Sequence, residues 1–200
     1  QAFGVTEPRA GSETTAISTR AERHGDVWRI NGQKIWTSRA RQSDLMILLA
    51  RTTPADQVTN RVEGLSVFIL EMRGADGELV PGLTINPIPT MMNHNTNEVF
   101  FDDVEIPADA LIGTEGMGFR HILDGMNAER ILIAAECIGD GRFFLDKASA
   151  YANEREVFGR PIGMNQGVQF PLAKAYANLR AADLMRWQAA NLFDGRQSCG

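Results

Sequence analysis

The sequence predicts an α+β chain. An antiparallel β-barrel domain spans residues 1–112, and residues 113–200 form two long antiparallel helices of an incomplete four-helix bundle. Three observations carry this. Up to about residue 112, short apolar runs alternate with Gly, Pro and Asn punctuation, the pattern of several short strands in a closed barrel or a sandwich. Beyond Pro107 the apolar residues recur every three to four positions, which is helical spacing. Only two such stretches are present, and two helices cannot bury both faces where a bundle normally uses four.

The strands follow in order. Residues 17–23 read as a strand, with a turn at His24-Gly25-Asp26 and a second strand starting at Val27-Trp28-Arg29-Ile30. Asn31-Gly32 reads as a hairpin turn, because both residue types tolerate positive φ, and residues 33–37 return from it. Residues 45–50 are continuously apolar, as in a strand buried on both faces. Residues 52–63 are polar and contain Pro54, and so form a loop. Strands at 65–72, 83–88 and 98–104 complete the β region, with a turn over 74–82. The first helix runs from about 116 to 153, with Ile122, Met126, Ile133, Cys137, Phe144 and Tyr151 on its stripe. Residues 155–163 form a loop. The second helix covers about 165–193, with Val168, Leu172, Leu179, Arg186 and Phe193 aligned.

Composition narrows the function. The 200 residues are 44% hydrophobic and 22% charged, which is ordinary globular material, and no apolar run approaches the roughly 18 residues of a membrane span. A net charge of −5 disfavours a phosphate-backbone partner, so no nucleic acid is expected. Cys137 and Cys199 make no disulfide framework, and a reducing compartment is expected. No leader precedes Gln1, and the Ser198-Cys199-Gly200 end follows directly on a helical pattern; the chain reads as an internal segment of a longer one.

Two stretches offer chemistry. Thr6 to Ser12 is a donor-rich turn in which Gly11 allows close approach to a phosphate; its plain alternative is a surface loop. Trp36-Thr37-Ser38 ends a strand with an aromatic plane and hydroxyls; its plain alternative is a core Trp beside a strand-end Ser. Gly113, Gly116 and Gly118 lack the Lys-Ser/Thr of a nucleotide loop and read as the hinge into the first helix. His24, His94 and His121 are scattered, and no metal spacing is present.

Three motifs in this order resemble the acyl-CoA dehydrogenase family of flavoproteins: Thr6-Glu7-Pro8 with Gly11-Ser12, Asn31-Gly32-Gln33-Lys34 leading to Trp36 and Ser38, and Arg155-Glu156-Val157-Phe158-Gly159. The resemblance covers nearly the whole chain, as a middle β domain and the start of a helical bundle. It implies an FAD site at Phe3, Val5, Thr6, Gly11, Ser12, Trp36, Thr37 and Ser38. It also implies that Arg155, Phe158 and Gln166 reach the FAD of a neighbouring subunit, and hence a homodimer or homotetramer. Arg9 stands where many members have Gly, Ser38 where many have Thr, and Asn165 where His is usual.

Most members carry the catalytic glutamate on a later segment, but some carry it immediately before an Arg on this helix, as Glu129-Arg130 does here. The implied reaction is α,β-desaturation of an acyl-CoA thioester. Glu129 acts as base, Ser12, Asn127 and Arg130 contact substrate, and electrons pass to an electron-transferring flavoprotein. The implied location is cytoplasmic, or the mitochondrial matrix in a eukaryote. The alternatives are an acyl-CoA oxidase or flavin monooxygenase of the same fold, or a non-catalytic DNA-associated or partner-subunit relative.

Overall fold

The computed structural model describes residues 1–91 and 95–199; His94 lies outside the described residues. The chain divides into two compact units, Gln1–Leu123 and Asp124–Gly200.

The first unit is a mixed sheet. Strands β1 (Ala2–Gly4), β2 (Arg20–His24), β3 (Val27–Ser38), β4 (Leu45–Arg51), β5 (Leu65–Glu71), β6 (Leu83–Ile88), β7 (Thr96–Pro107) and β8 (Leu111–Ile112) pair in the order β6-β7-β3-β2-β4-β5-β8, with β1 on β4. The expected antiparallel barrel is corrected on two counts. β1 runs parallel to β4, and β2 meets β4 in parallel at a single pair, Arg20↔Arg51. The edges β6 and β8 do not pair with each other, so the sheet is not closed. The physical reason is the one-pair junction. Strand pairing between the β6-β7-β3-β2 and β4-β5-β8 parts rests on that one pair, and both parts feed one core: Trp28, Ile30 and Val99 from the first, Leu48, Phe68 and Leu70 from the second. Trp28 and Phe68 meet edge to face at 5.3 Å, an arrangement that adds about 1 kcal/mol to their burial.

Asn31-Gly32 is not a hairpin turn. β3 continues through it, and the chain reverses instead at Gly25-Asp26, between the paired His24 and Val27. A register shift against β7 falls between Ile30 and Gly32: Asn31 alone opposes Asp102 and Asp103, so the extra residue of this bulge lies on β7, where Asp103 takes φ 51°. Its geometry is held from outside the strand. Gly32 lies so close to Thr19 that a Cβ would stand 2.6 Å from the Thr19 Cα, while Asn31 Nδ2 donates to Asp103 Oδ1 at 2.8 Å and Asp103 N donates to Asn31 Oδ1 at 3.0 Å.

Gly82, at the entry to β6, is more constrained. Its φ is 79°, and a Cβ there would lie 2.1 Å from the Asp102 carbonyl oxygen. Gly82→Ala is expected to cost about 2 kcal/mol or more, because main chain cannot yield as a side chain can. A denaturant midpoint unchanged from wild type would refute this.

Helix α1 (Gly118–Glu154) begins against the sheet. A Cβ on Gly118 would stand 2.6 Å from the Ser66 backbone, and Gly116 N donates to Ser66 Oγ at 2.8 Å. The glycines of this segment therefore serve close packing on β5.

In the second unit, α1 is followed by a small hairpin and then α2 (Gln166–Asp194). Residues 155–163 are not simply a loop. Strands β9 (Glu156–Val157) and β10 (Arg160–Pro161) pair antiparallel around Phe158 and Gly159, whose φ values of 54° and 74° form the tight hairpin turn.

The two helices are antiparallel. Gly163 packs on Ala152, Gly141 receives Leu179, and Arg142 bonds Asp183. Asp183 also accepts from Arg186 Nη2 at 2.6 Å, and the Arg186 guanidinium lies 4.0 Å over the Trp187 ring. The hydrogen bond from Arg186 holds the Asp183 carboxyl below its ordinary range. Few side chains of either helix are buried among the described residues, Ile122, Ile138 and Ala152 on α1 and Asp183 on α2, and Leu132, Phe143, Phe170, Leu184 and Trp187 are exposed. Among the described residues no helix is long and apolar enough to cross a membrane.

Candidate functional site

In the first unit the site is built on one stretch of β3. Alternation places Trp28 and Ile30 inward, and Lys34 continues on that face with no exposure at all. A second register shift then falls between Lys34 and Thr37: Lys34 pairs with Val99, yet Thr37 already pairs with Asn97. Two residues, Ile35 and Trp36, oppose one on β7. Trp36 takes φ 60°, a conformation rare for a bulky residue, and its indole is turned out to 57% exposure. Beyond the bulge Thr37 faces in and Ser38 out.

The Thr-Glu-Pro turn lies alongside. Glu7 and Ala10 exchange main-chain hydrogen bonds at 3.2 and 3.0 Å, closing the turn around Pro8 and Arg9, both exposed. Ile35 N donates to Thr6 O at 2.9 Å, tying the turn to β3 one residue before Trp36. Thr6 is half-buried, and Gly11 and Ser12 are exposed with open space around Gly11. Phe3 and Val5 border the same segment, each part-exposed or half-buried.

Beneath the turn is a group that the sequence reading missed. Glu7 and Lys34 form a buried ion pair, with Nζ donating to Glu7 Oε1 at 2.8 Å and to Val5 O at 3.0 Å. The carboxylate also accepts from Ser18 N, Ser18 Oγ and Thr19 N at 2.6, 2.8 and 2.9 Å. Burial by itself would raise the Glu7 carboxyl, but the Lys34 charge and these hydrogen bonds hold it down to about 2. Burial pulls the Lys34 ammonium down to about 8, against the upward pull of Glu7. Both groups are therefore charged at neutral pH. The signal was available in the alternation of β3, which puts Lys34 on the same inward face as Trp28 and Ile30.

Several hydroxyls here lack partners. Among the described residues those of Thr6, Ser12 and Ser38 make no hydrogen bond, and Thr37 Oγ1 is buried without one. Thr37 O accepts from Asn97 Nδ2 at 3.1 Å. The exposed edge thus presents one indole face and three uncommitted hydroxyls. Among the described residues no cluster of His, Cys, Asp or Glu could hold a metal.

In the second unit, Asn127 and Arg130 line a groove of about 440 Å³ with Ile131, Ala134, Met185 and Ala189. Arg130 Nη1 donates to Asn127 Oδ1 at 2.9 Å. Glu129 is exposed, lies off the lining of that groove and makes no ion pair among the described residues. Arg155 and Gln166 are exposed, and Phe158 is fully so at the tip of its hairpin. Asn165 is committed locally, donating to Ile162 O at 3.0 Å and accepting from Arg160 Nη2 at 2.9 Å.

Residues 2–104 match the family model for the acyl-CoA dehydrogenase middle domain, and residues 116–199 that for the acyl-CoA dehydrogenase C-terminal domain. The chain belongs to the acyl-CoA dehydrogenase family. Among its relatives, acyl-CoA dehydrogenase fadE12 of Mycobacterium bovis is 37% identical over 195 residues, 96% of this chain and 48% of the relative. Glutaryl-CoA dehydrogenase of Desulfococcus multivorans is 37% identical over 201 residues, 99% of this chain and 49% of the relative. The solved structure of glutaryl-coenzyme A dehydrogenase in its glutaryl-CoA complex superposes with a TM-score of 0.79 at 36% identity, covering 96% of this chain and 47% of that one. The chain spans about half the length of the relatives it matches.

Proposed function

We propose that this chain carries the flavin-contacting and substrate-contacting segments of an FAD-dependent acyl-CoA dehydrogenase. The observation behind the proposal is the bulge in β3. It holds the Trp36 indole outward in a strained conformation, and the neighbouring turn carries hydroxyls, those of Thr6 and Ser12, that have no partner among the described residues. A flavin fits this donor set. The ring offers an apolar plane for the indole and a polar edge whose atoms need hydrogen bonds once covered. Thr6 and Ser38 would hydrogen-bond that edge, Val5, Thr37 and Phe3 would border it, and Gly11 and Ser12 would admit the pyrophosphate.

FAD, when bound, supplies the acceptor for the β-hydrogen of the thioester. Glu129 removes the proton from the α-carbon. A carboxylate is basic enough for a carbon acid only when substrate covers it and excludes water. Ser12, Asn127 and Arg130 contact the acyl-CoA. Arg155, Phe158 and Gln166 serve the flavin of a neighbouring subunit. The fully exposed Phe158 ring at the tip of its hairpin supports a contact with a neighbouring subunit. An electron-transferring flavoprotein takes the electrons.

The test is anaerobic titration of the protein from its complete reading frame with straight, branched, dicarboxylic and alicyclic acyl-CoA thioesters. At least one is expected to bleach the long-wavelength flavin absorbance. Bound FAD that no thioester bleaches would overturn the dehydrogenase reading and favour the monooxygenase.

A further inference from the structure

The buried Glu7–Lys34 pair invites a role beyond stability. Replacing a buried ion pair by apolar side chains of similar volume is often neutral or stabilising. A methionine would fill the space of Lys34 without desolvating a charge. What the apolar side chain could not do is bind main chain.

Lys34 Nζ holds the Val5 carbonyl at 3.0 Å and the Glu7 carboxylate at 2.8 Å, and Ile35 N holds the Thr6 carbonyl between them at 2.9 Å. Three consecutive turn residues are thus tied to two consecutive strand residues, and the next residue on that strand is Trp36. The far side of Glu7 is fixed as well. Its Oε2 accepts from both Ser18 N and Ser18 Oγ, and Thr19 N reaches Oε1. The carboxylate is therefore anchored to the chain entering β2, and the ammonium bridges from it to the turn.

We infer that Lys34 is a positioning residue, which through Glu7 and the Val5 carbonyl sets the spacing between the Thr6–Ser12 turn and the outward Trp36 indole. This rests on the flavin reading above and goes beyond it, since neither Lys34 nor Glu7 faces the exposed edge. The pair carries no proton in the reaction; its effect reaches the cofactor only through the residues it spaces.

The experiment compares wild type, Lys34→Met and the double variant Lys34→Met/Glu7→Gln, each from the complete reading frame. The single variant leaves a buried carboxylate without its counter-charge and can fail to fold. The double variant removes both charges at nearly constant volume; glutamine Oε1 still accepts from Ser18, but its amide nitrogen cannot accept from Thr19 N, so it is expected to melt below wild type and above the single variant. Two readouts follow: the FAD dissociation constant, and the amide exchange of residues 5–12 in the cofactor-free protein. In the double variant, well below its melting temperature, FAD binding is expected to weaken about tenfold and exchange in the turn to quicken about tenfold, with exchange in the β4–β5 pair unchanged. A loss of affinity under threefold in the folded double variant overturns the inference and leaves the flavin reading standing. A wild-type protein that does not bind FAD overturns the flavin reading, and this inference with it.

Discussion

Replacing Glu129 by Gln is expected to slow thioester-dependent bleaching of the flavin by about 10²–10⁴-fold, the usual contribution of a positioned general base. The structure makes this a clean substitution. Glu129 is exposed and makes no ion pair among the described residues, and its neighbour Arg130 is engaged by Asn127 at 2.9 Å. Gln keeps the helical propensity and volume of Glu, so stability is expected to stay within about 0.5 kcal/mol of wild type. FAD content is expected to be unchanged, because Glu129 is not among the flavin-contacting residues. A loss of rate at constant melting temperature and flavin occupancy then reports on chemistry alone. Bleaching of the variant at the wild-type rate would place the base elsewhere.

The second large effect concerns stability. Glu7→Ala is expected to cost about 3–5 kcal/mol, because it leaves the Lys34 ammonium buried with only the Val5 carbonyl and takes the acceptor from the Ser18 and Thr19 amides. The same carboxylate predicts a pH dependence. Its ordinary value is 4.5 and its folded value about 2, so the folded state holds the proton less tightly than the unfolded chain. Its contribution is complete above about 4.5 and is lost as pH falls through about 2, roughly 3 kcal/mol in all.

Lys34 acts in another window. Its folded value is about 8 against an ordinary 10.5, so the cost of burying the ammonium stands below 8 and is relieved as pH rises toward 10.5. Urea midpoints of wild type and Glu7→Ala, followed from pH 5 to pH 2, test the first part. Wild type should lose the larger share, and the two curves should converge. Parallel curves would mean that Glu7 carries no linked proton.

Much of the architecture was legible from local pattern. The runs at 45–50, 65–72 and 83–88 appear as β4, β5 and β6, and the change to helical spacing after Pro107 locates α1 and α2 to within a few residues. These elements are long, and their periodicity follows directly from which faces are buried. The same motifs marked the turn at Thr6, the indole at Trp36 and the Glu129-Arg130 pair as candidates.

Strands β1, β8, β9 and β10 were not legible. Each has only two or three residues, too few to show a period, and each exists because a partner strand supplies its hydrogen bonds. The barrel expectation failed for a related reason: whether sheet edges meet depends on the one-pair junction of β2 with β4, which no local pattern encodes.

The candidate site divides along the same line. Residue identities and spacing along the chain were enough to name the turn, the strand and the helix that hold it, because propensity and apolar periodicity are local properties. Which way the side chains face was decided in three dimensions. Alternation from Trp28 through Lys34 would carry Trp36 into the core; the bulge against β7 reverses it, sending Trp36 out and Thr37 in. A bulge is a mismatch between two strands some 60 residues apart in the chain, so it emerges only when they pair. The Glu7–Lys34 bond likewise joins residues 27 apart, and its strength comes from a low-dielectric interior that exists only after the core has closed.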